Sequence, residues 1–322
     1  MNTRSRKWEP LDFHGLRTTS LYDRPSKVSL DDFGKPWEPG NGLGDFLGRL
    51  PKVLAAAQFR EAVGAIVSAF HGSRTILMGM GAHPIKVGLN PILIDAMKRG
   101  IFSGLALNGA GVVHDVELAL AGKTSEDVAA HLNQGQFGTA RETAEFVHAA
   151  VASGFRAGDR GMGRAVGEKL LQEGAPYADV SLLAMAAKLD VPVTVHVAVG
   201  TDIIHMHPAM DGAATGALSH YDFRLFCRLV STLERGVFLN LGSAVIIPEV
   251  FLKAVSVARN LGFSLEGITA INMDFQRHYR TQVNVVERPT LGTGSGINLI
   301  GHHEIMFPLL MAAVLEELAG RT

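Results

Sequence analysis

The chain has 322 residues, of which 47% are apolar and 19% are charged, and its 30 basic residues almost balance its 31 acidic residues. A chain of this length and apolar content can bury a core for one large domain or two modest ones, which excludes a mainly disordered protein. The net charge of −1 argues against non-specific binding to nucleic acid, because the chain as a whole presents no positive field to a polyanion.

Cysteine usage and the short apolar segments indicate the compartment. Cys227 is the single cysteine, which excludes an intrachain disulfide and a cysteine-based zinc site and is typical of a reducing compartment. The start of the chain lacks the apolar core of a signal peptide. The apolar run over residues 305–315 is shorter than the roughly 20 residues that a membrane-spanning helix needs. We therefore expect a cytoplasmic protein.

Hydrophobic periodicity predicts an N-terminal arm followed by one large domain. Residues 1–45 are rich in charged residues, proline and glycine and follow no regular period, whereas an apolar pattern punctuated by glycine continues across residues 46–322. The pattern predicts strands over residues 75–78, 103–107, 191–199, 237–241 and 267–272. It predicts helices over residues 54–70, 91–98, 125–132, 139–153, 162–173, 181–189, 248–261 and 304–318, and one more that a capping box at Ser219–Asp222 would introduce.

The alternation of strands and helices predicts an α/β fold with a doubly wound, mostly parallel sheet, which is Rossmann-like. Ligands of such sheets bind beyond the carboxyl ends of the strands, where strand order reverses. Glycine and polar residues gather at these ends, in segments 79–88, 108–115, 200–212, 242–244 and 272–274. Glycine allows close backbone approach and helix N-termini bind anions, so the turns favour the phosphates of a dinucleotide. A Gly-x-Gly-x-x-Gly fingerprint is not met, so tight packing is the alternative explanation of the glycines.

The segment after the third predicted strand carries two histidines. His205 and His207 are two residues apart, so in an extended loop both imidazoles could face one way, with Asp202 and Asp211 near enough to orient them. The pair could ligate a metal, relay protons or bind a polar substrate. Histidines whose rings are satisfied by backbone carbonyls are the structural alternative.

Two further polar clusters lie near the C-terminus. His302, His303 and Glu304 precede the last predicted helix, where a glutamate is favoured by the helix N-terminus. The cluster over residues 277–280, Arg-His-Tyr-Arg, could clamp an anionic group or could be a solvated face.

Taken in chain order, these motifs resemble those of the deoxyhypusine synthases over about residues 50–318. The resemblance is carried by the first glycine turn, Asn-Gly-Ala-Gly with a following His-Asp, the pair Thr201–Asp202, Leu-Gly-Ser-Ala-Val, and Phe-Pro-Leu-Leu at residues 307–310. The family uses NAD to oxidise spermidine and passes a butylamine group, through an imine on an enzyme lysine, to a lysine of a translation factor. Its members are homotetramers with active sites shared between paired subunits, so the resemblance implies NAD as cofactor and a homotetramer.

Carried over by position, the resemblance implies contacts to NAD from several turns. In chain order the implied residues are Gly81, Ala82, His83, Asn108, Gly109, Ala110, Thr201, Asp202, Gly242, Ser243, Asn272 and His302. Of these, the resemblance places Thr201 and Asp202 at the nicotinamide side.

The sequence departs from the family at the imine-forming lysine, which the family carries in a Trp-Gly-Lys motif before the last helix. The corresponding stretch, residues 287–296, has neither Trp nor Lys, and Lys253 is the last lysine of the chain. An imine step requires an uncharged primary amine, so we do not expect deoxyhypusine synthesis by the usual route. The family's Gly-Asp after the third strand is replaced around His205 and His207, which indicates a different or anionic substrate.

Three functional hypotheses follow. The first is an NAD-binding enzyme that removes hydride from, or transfers a group of, a small amine or alcohol, with Asp202, His205 and His207 taking up the proton. Glu249 is a further acid/base candidate, although it could equally serve as charge at a helix N-terminus. The second is a metal-dependent hydrolase or lyase, with His205, His207 and either Asp202 or His303 as ligands. The third is a non-catalytic NAD-binding oligomer.

Overall fold

A computed structural model describes residues 8–320 and places a six-stranded, all-parallel sheet at the centre of the protein. The strand order is β3-β2-β1-β4-β5-β6, so the direction in which strands are added reverses between β1 and β4. The strands are β1 (Ile76–Met80), β2 (Gly104–Asn108), β3 (Val193–His196), β4 (Val237–Leu241), β5 (Thr269–Asp274) and β6 (Ser295–Ile300). The prediction of a doubly wound, Rossmann-like α/β fold is confirmed.

Helices cover both faces of this sheet. They are α1 (Leu43–Arg49), α2 (Leu54–His71), α3 (His83–Lys86), α4 (Asn90–Lys98), α5 (Gly109–Ala121), α6 (Val128–His131), α7 (Arg141–Ala157), α8 (Met162–Gln172), α9 (Leu182–Leu189), α10 (Gly212–Val230), α11 (Ile246–Asn260), α12 (Tyr279–Thr281) and α13 (His303–Gly320). A turn of π-helix, Gln282–Glu287, follows α12. No helix within residues 8–320 is long and apolar enough to cross a membrane.

Two apolar cores hold the helices against the sheet. The smaller core joins α10, α11 and the π-helix to one face, where Phe238 of β4 stacks on Phe251 of α11 with ring centroids 3.6 Å apart. The larger core joins α2, α13 and the helices between α4 and α9 to the rest of the molecule. The sheet is thus covered on both faces, and the turns at the carboxyl ends of its strands are anchored by the two cores.

The sequence prediction missed β6 and overextended β3. Gly296 of β6 lies so close to the π-helix that a Cβ atom would be 2.3 Å from the Val286 carbonyl oxygen. This glycine belongs to a strand, although its surroundings in the sequence are typical of a loop. The third strand ends at His196, and Val199, which is 75% exposed, lies beyond the sheet.

The N-terminal segment is extended over most of its described length. Residues 8–42 are almost all exposed and contain a single 3-10 turn, Leu30–Asp32, before α1 begins. Helix α1 spans the predicted boundary at residue 45, and Arg60 of α2 donates hydrogen bonds to the carbonyls of Leu47, Leu50 and Pro51. These bonds tie the end of the segment to the folded body.

The predicted capping box at Ser219–Asp222 is wrong. Helix α10 begins earlier, because Asp211 is its N-cap and the carboxylate accepts hydrogen bonds from the amides of Ala213 and Ala214 at 2.9 and 3.0 Å. Ser219 and Asp222 therefore lie inside the helix. Buried Asp222 accepts hydrogen bonds from the amides of Gly163 and Val195 at 3.1 and 2.9 Å, which ties α10 to α8 and β3.

This buried carboxyl predicts a pH dependence of stability. Burial raises the pKa of Asp222 from 3.8 to about 7, so its contribution to stability is complete below pH 4 and is lost as the pH rises towards 7. We expect the free energy of unfolding to fall more between pH 5 and pH 8 in the wild type than in Asp222→Asn, by an amount of the order of a few kcal/mol. Urea unfolding at both pH values measures the difference, and other titrating groups cancel between the two proteins. Equal pH slopes would contradict the assignment.

Candidate functional site

The turns after β1 and β4 meet at the point where strand order reverses. The Gly81 amide donates to the Leu241 carbonyl at 3.1 Å, and a Cβ atom on Gly81 would lie 2.4 Å from the Gly242 carbonyl oxygen. Gly242 has φ +65, in the left-handed region that glycine tolerates. Ser243 is buried, and its hydroxyl accepts a hydrogen bond from the Ile247 amide at 3.2 Å at the start of α11. The structure thus brings Gly81, Gly242 and Ser243 together at the carboxyl ends of β1 and β4, where sheets of this kind bind ligands in a crevice.

A second crevice wall is formed by the turn after β2 and the segment after β3. Asn108 caps α5, because its side-chain oxygen accepts from the Gly111 amide at 3.0 Å. A Cβ atom on Gly109 would lie 2.0 Å from Asp202 Oδ2, so the carboxyl group of Asp202 sits directly over the first residue of the helix. Ala110 is the next residue of α5 and is half-buried.

Asp202 is the ionisable group best placed at this wall. It is 7% exposed, and its Oδ2 has no hydrogen-bond partner. Burial is the largest influence and raises the pKa of Asp202, while charge on His205 opposes the rise. Thr201 beside it is exposed, and its hydroxyl donates to the Ala198 carbonyl at 2.6 Å. A buried carboxyl with a raised pKa and a free oxygen can exchange a proton with a ligand.

His205 and His207 do not form the arrangement expected of an extended loop. Residues Ile203–Met206 form a 3-10 turn, and each ring nitrogen Nδ1 accepts from a local amide, that of Gly200 for His205 (3.2 Å) and that of Ala209 for His207 (3.1 Å). The His207 ring also stacks on His148, with centroids 6.1 Å apart. Within residues 8–320 no three His, Cys, Asp or Glu side chains are grouped so that they could hold a metal ion.

Glu249 lies in the first turn of α11, as the sequence predicts, and is surrounded by donors. Its carboxylate pairs with Lys253, accepts from Asn284 Nδ2 at 2.9 Å and lies 3.4 Å from Arg280 Nε. Hydrogen bonding to Lys253 is the largest cause that lowers the pKa of Glu249. A carboxylate stabilised in this way is a poor proton acceptor at neutral pH, so the geometry favours a structural role.

Asn272 belongs to a buried ladder of asparagines that sequence reasoning missed. Asn240, Asn272 and Asn298 lie in register on β4, β5 and β6. Asn240 Nδ2 donates to Asn272 Oδ1 at 2.8 Å, and Asn272 Nδ2 donates to Asn298 Oδ1 at 3.0 Å. Both polar atoms of the Asn272 side chain are therefore engaged within the sheet. The signal for this ladder was an asparagine near the end of each of the three strands, but the sequence analysis had not predicted β6.

The turns after β1, β5 and β6 bring a group of rings together. His83 Nδ1 lies 2.8 Å from His303 Nδ1, and His303 Nε2 lies 3.5 Å from Asp274 Oδ1. His302 is exposed and stacks on Phe275, with centroids 6.4 Å apart and planes at 5°. The sequence analysis named His83 and His302 as cofactor-binding residues and His303 as a possible metal ligand, whereas Asp274 was noted only as a strand-end residue. His303 and Asp274 lie deeper in the structure.

Comparisons with known proteins identify solved structures that share this fold. No family model and no curated protein matches the chain. Among solved structures, a conserved protein of the LOR/SDH type from Methanococcus maripaludis S2 is 15% identical, with 82% of this chain and 70% of that chain covered and a TM-score of 0.50. The ternary complex of AgrE with ornithine and NAD+ is 13% identical, with 84% of this chain and 35% of AgrE covered and a TM-score of 0.52.

A protein from Entamoeba histolytica described as a deoxyhypusine synthase is also similar in structure, at 11% identity, with 88% and 96% of the two chains covered and a TM-score of 0.48. The chain spans about a third of AgrE, at 35% of its length. The protein is similar in fold to the LOR/SDH-type protein and to the matching part of AgrE.

Proposed function

We propose that the protein is an NAD-dependent enzyme that oxidises a small amine or alcohol, or transfers a group from it. The observation that carries this proposal is the meeting of Gly81 and Gly242 at the reversal of strand order, where a Cβ atom on Gly81 would come within 2.4 Å of backbone. Neither glycine carries a side chain, which supports close approach of a dinucleotide to the main chain at this point. The resemblance to the NAD-using deoxyhypusine synthases supports the same cofactor.

The crevice residues fit a dinucleotide. The residues that would hold it are Gly81, Ala82, His83, Asn108, Gly109, Ala110, Thr201, Asp202, Gly242, Ser243 and His302. Oδ2 of Asp202 is buried beside Gly109 and has no partner, so it would be an unused acceptor for a ribose or substrate hydroxyl that reaches it. Bound NAD would supply the two-electron acceptor.

The residues of the chain have separate tasks in this proposal. Asp202 polarises the N–H or O–H group of the substrate by accepting a hydrogen bond, because it is a buried carboxyl with an unpartnered oxygen. His205 lies close enough to Asp202 to influence its pKa, but its Nδ1 accepts from the Gly200 amide, so we assign that nitrogen no proton transfer. His207 and Glu249 have local partners, so we assign them no direct part in proton transfer.

The substrate class follows from what the chain lacks and from the AgrE comparison. No lysine follows Lys253, and Lys253 itself pairs with Glu249, so the proposed reaction contains no enzyme-lysine imine. AgrE, a larger protein, binds ornithine together with NAD+, which supports a small amino compound as substrate here. The homotetramer and the cytoplasmic location stay predictions.

Titration with NAD tests the proposal. At 100 times its dissociation constant, a ligand that binds only the folded state stabilises it by about 2.7 kcal/mol, so we expect a clear rise in the thermal midpoint. ATP at the same concentration is the control that separates NAD from any adenine nucleotide. An unchanged midpoint at millimolar NAD would contradict the proposed function.

A further inference from the structure

Three side chains from distant parts of the chain form a continuous polar path beside the crevice. Asp274 ends β5, His303 begins α13 and His83 follows β1. His303 Nε2 is 3.5 Å from Asp274 Oδ1, and His303 Nδ1 is 2.8 Å from His83 Nδ1. His303 is fully buried at 0% exposure and Asp274 is 2% exposed. His83 is half-buried, so the path leads from the interior to the edge of the crevice.

The middle ring of this path is held in one orientation. Gly242 lies against it so closely that a Cβ atom would be 2.6 Å from His303 Cε1. The Phe275 ring packs against both imidazoles, with centroids 5.8 Å from those of His83 and His303. Packing on both sides limits the movement of the ring, and the 2.8 Å contact with His83 fixes which nitrogen faces it.

The neighbours of His303 determine where the protons lie. The neutral ring carries one proton, and the nitrogen that faces a carboxylate is the one that holds it. Nε2 makes no hydrogen bond within the described residues, but Asp274 Oδ1 lies 3.5 Å from it, and a carboxylate at that distance attracts an N–H group. With the proton on Nε2, His303 Nδ1 has only a lone pair and must accept a hydrogen bond. The donor is His83 Nδ1–H, which leaves the lone pair of His83 on Nε2.

We propose that Asp274 and His303 are positioning residues that hold His83 in its Nδ1–H form, so that His83 Nε2 is a proton acceptor at the crevice. This inference rests on the proposed function for its chemistry. When the substrate C–H hydrogen leaves with its electron pair, for which NAD is the acceptor, the proton of the adjacent N–H or O–H goes to His83 Nε2. The substrate then gains a C=N or C=O bond, and the imidazolium charge is stabilised through His303 by Asp274.

The surroundings of His83 favour the neutral form of its ring. Burial, followed by the proximity of His303, lowers the pKa of His83, and Lys86 acts in the same direction. Glu304 and Asp274 oppose this effect. His278, the residue before α12, also lies near Asp274, with Nε2 3.9 Å from Oδ2. His83 therefore supplements Asp202, which faces the crevice from the other wall.

Nitrogen-15 NMR of histidine-labelled full-length protein tests the inference without a substrate. Long-range proton–nitrogen spectra at pH 8 distinguish a protonated from an unprotonated ring nitrogen, and His83→Gln identifies the signals of His83. We expect protonated Nδ1 and unprotonated Nε2 in the wild type. His303→Met removes the acceptor while keeping a similar volume, and Asp274→Ala removes the carboxylate, so either variant should move His83 towards the Nε2–H form.

His278→Asn is the matched control, because it alters the other neighbour of Asp274 and should leave the His83 signals unchanged. A wild-type His83 with Nε2–H overturns the inference even if both variants fail to fold. NAD titration of the same wild-type sample keeps the two proposals distinguishable. Nδ1–H on His83 without NAD binding would contradict the proposed function alone, whereas Nε2–H with NAD binding would contradict this inference alone.

Discussion

Replacing Asp115 by alanine is expected to lower the free energy of unfolding by about 3–5 kcal/mol, because several buried donors lose their acceptor at once. Asp115 is 0% exposed on α5. Its carboxylate accepts from Ser181 Oγ at 2.6 Å, from the amides of Leu182 and Leu183 at 2.7 and 3.0 Å, and from Asn90 Nδ2 at 3.1 Å. One side chain thus joins α5 to the start of α9 and to α4.

Urea unfolding of the purified variant measures this loss. Asp95→Ala is the matched control, since Asp95 is exposed on α4 and its pair with Arg99, at 2.7 Å, lies on the surface. Pairs of this kind contribute at most about 1 kcal/mol. A loss below about 1 kcal/mol for Asp115→Ala would show that solvent replaces the carboxylate and that the joint between the three helices is not a main source of stability.

Gly81→Ala is expected to weaken NAD binding at least tenfold while leaving the protein folded. The added methyl group would lie 2.4 Å from the Gly242 carbonyl oxygen, and because this atom is backbone, the turn after β1 must shift. Overpacking of this kind costs about 1–3 kcal/mol, which this domain can tolerate if it has the usual 5–15 kcal/mol of stability. The same shift moves the crevice wall that the proposed cofactor lines.

The affinity is measured by calorimetric titration of NAD into both proteins. Gly64→Ala on α2 is the control, because nothing lies within 4 Å of the added Cβ atom and alanine favours the helix. It should leave affinity unchanged and raise stability slightly. Wild-type affinity in Gly81→Ala would mean that the β1 turn is close-packed for structural reasons and does not line the cofactor site.

The segments that follow the strands show what a local sequence pattern can and cannot predict about a site. The Gly-rich turns at 79–88 and 242–244 were predicted to share one edge of a parallel sheet, and the structure places them in contact at the reversal of strand order. His114 and Asp115, by contrast, follow β2 in sequence but turn away with α5. His114 Nδ1 lies 2.6 Å from Thr124 Oγ1, and Asp115 holds α9. A strand-end position is therefore insufficient evidence of a site residue, because the following helix rotates each side chain to a different face.

What the sequence by itself determined is the alternation of strands and helices, the parallel sheet, and the edge at which glycine and polar residues collect. These features depend on apolar periodicity and on local turn chemistry, which short segments carry alone. Only the tertiary structure decided which polar side chains meet. His83 and His303 are 220 residues apart, and their contact requires the order in which β1, β4, β5 and β6 assemble. The asparagine ladder likewise depends on the register of three strands. Strand order and register arise from packing across the whole core, and no local pattern encodes them.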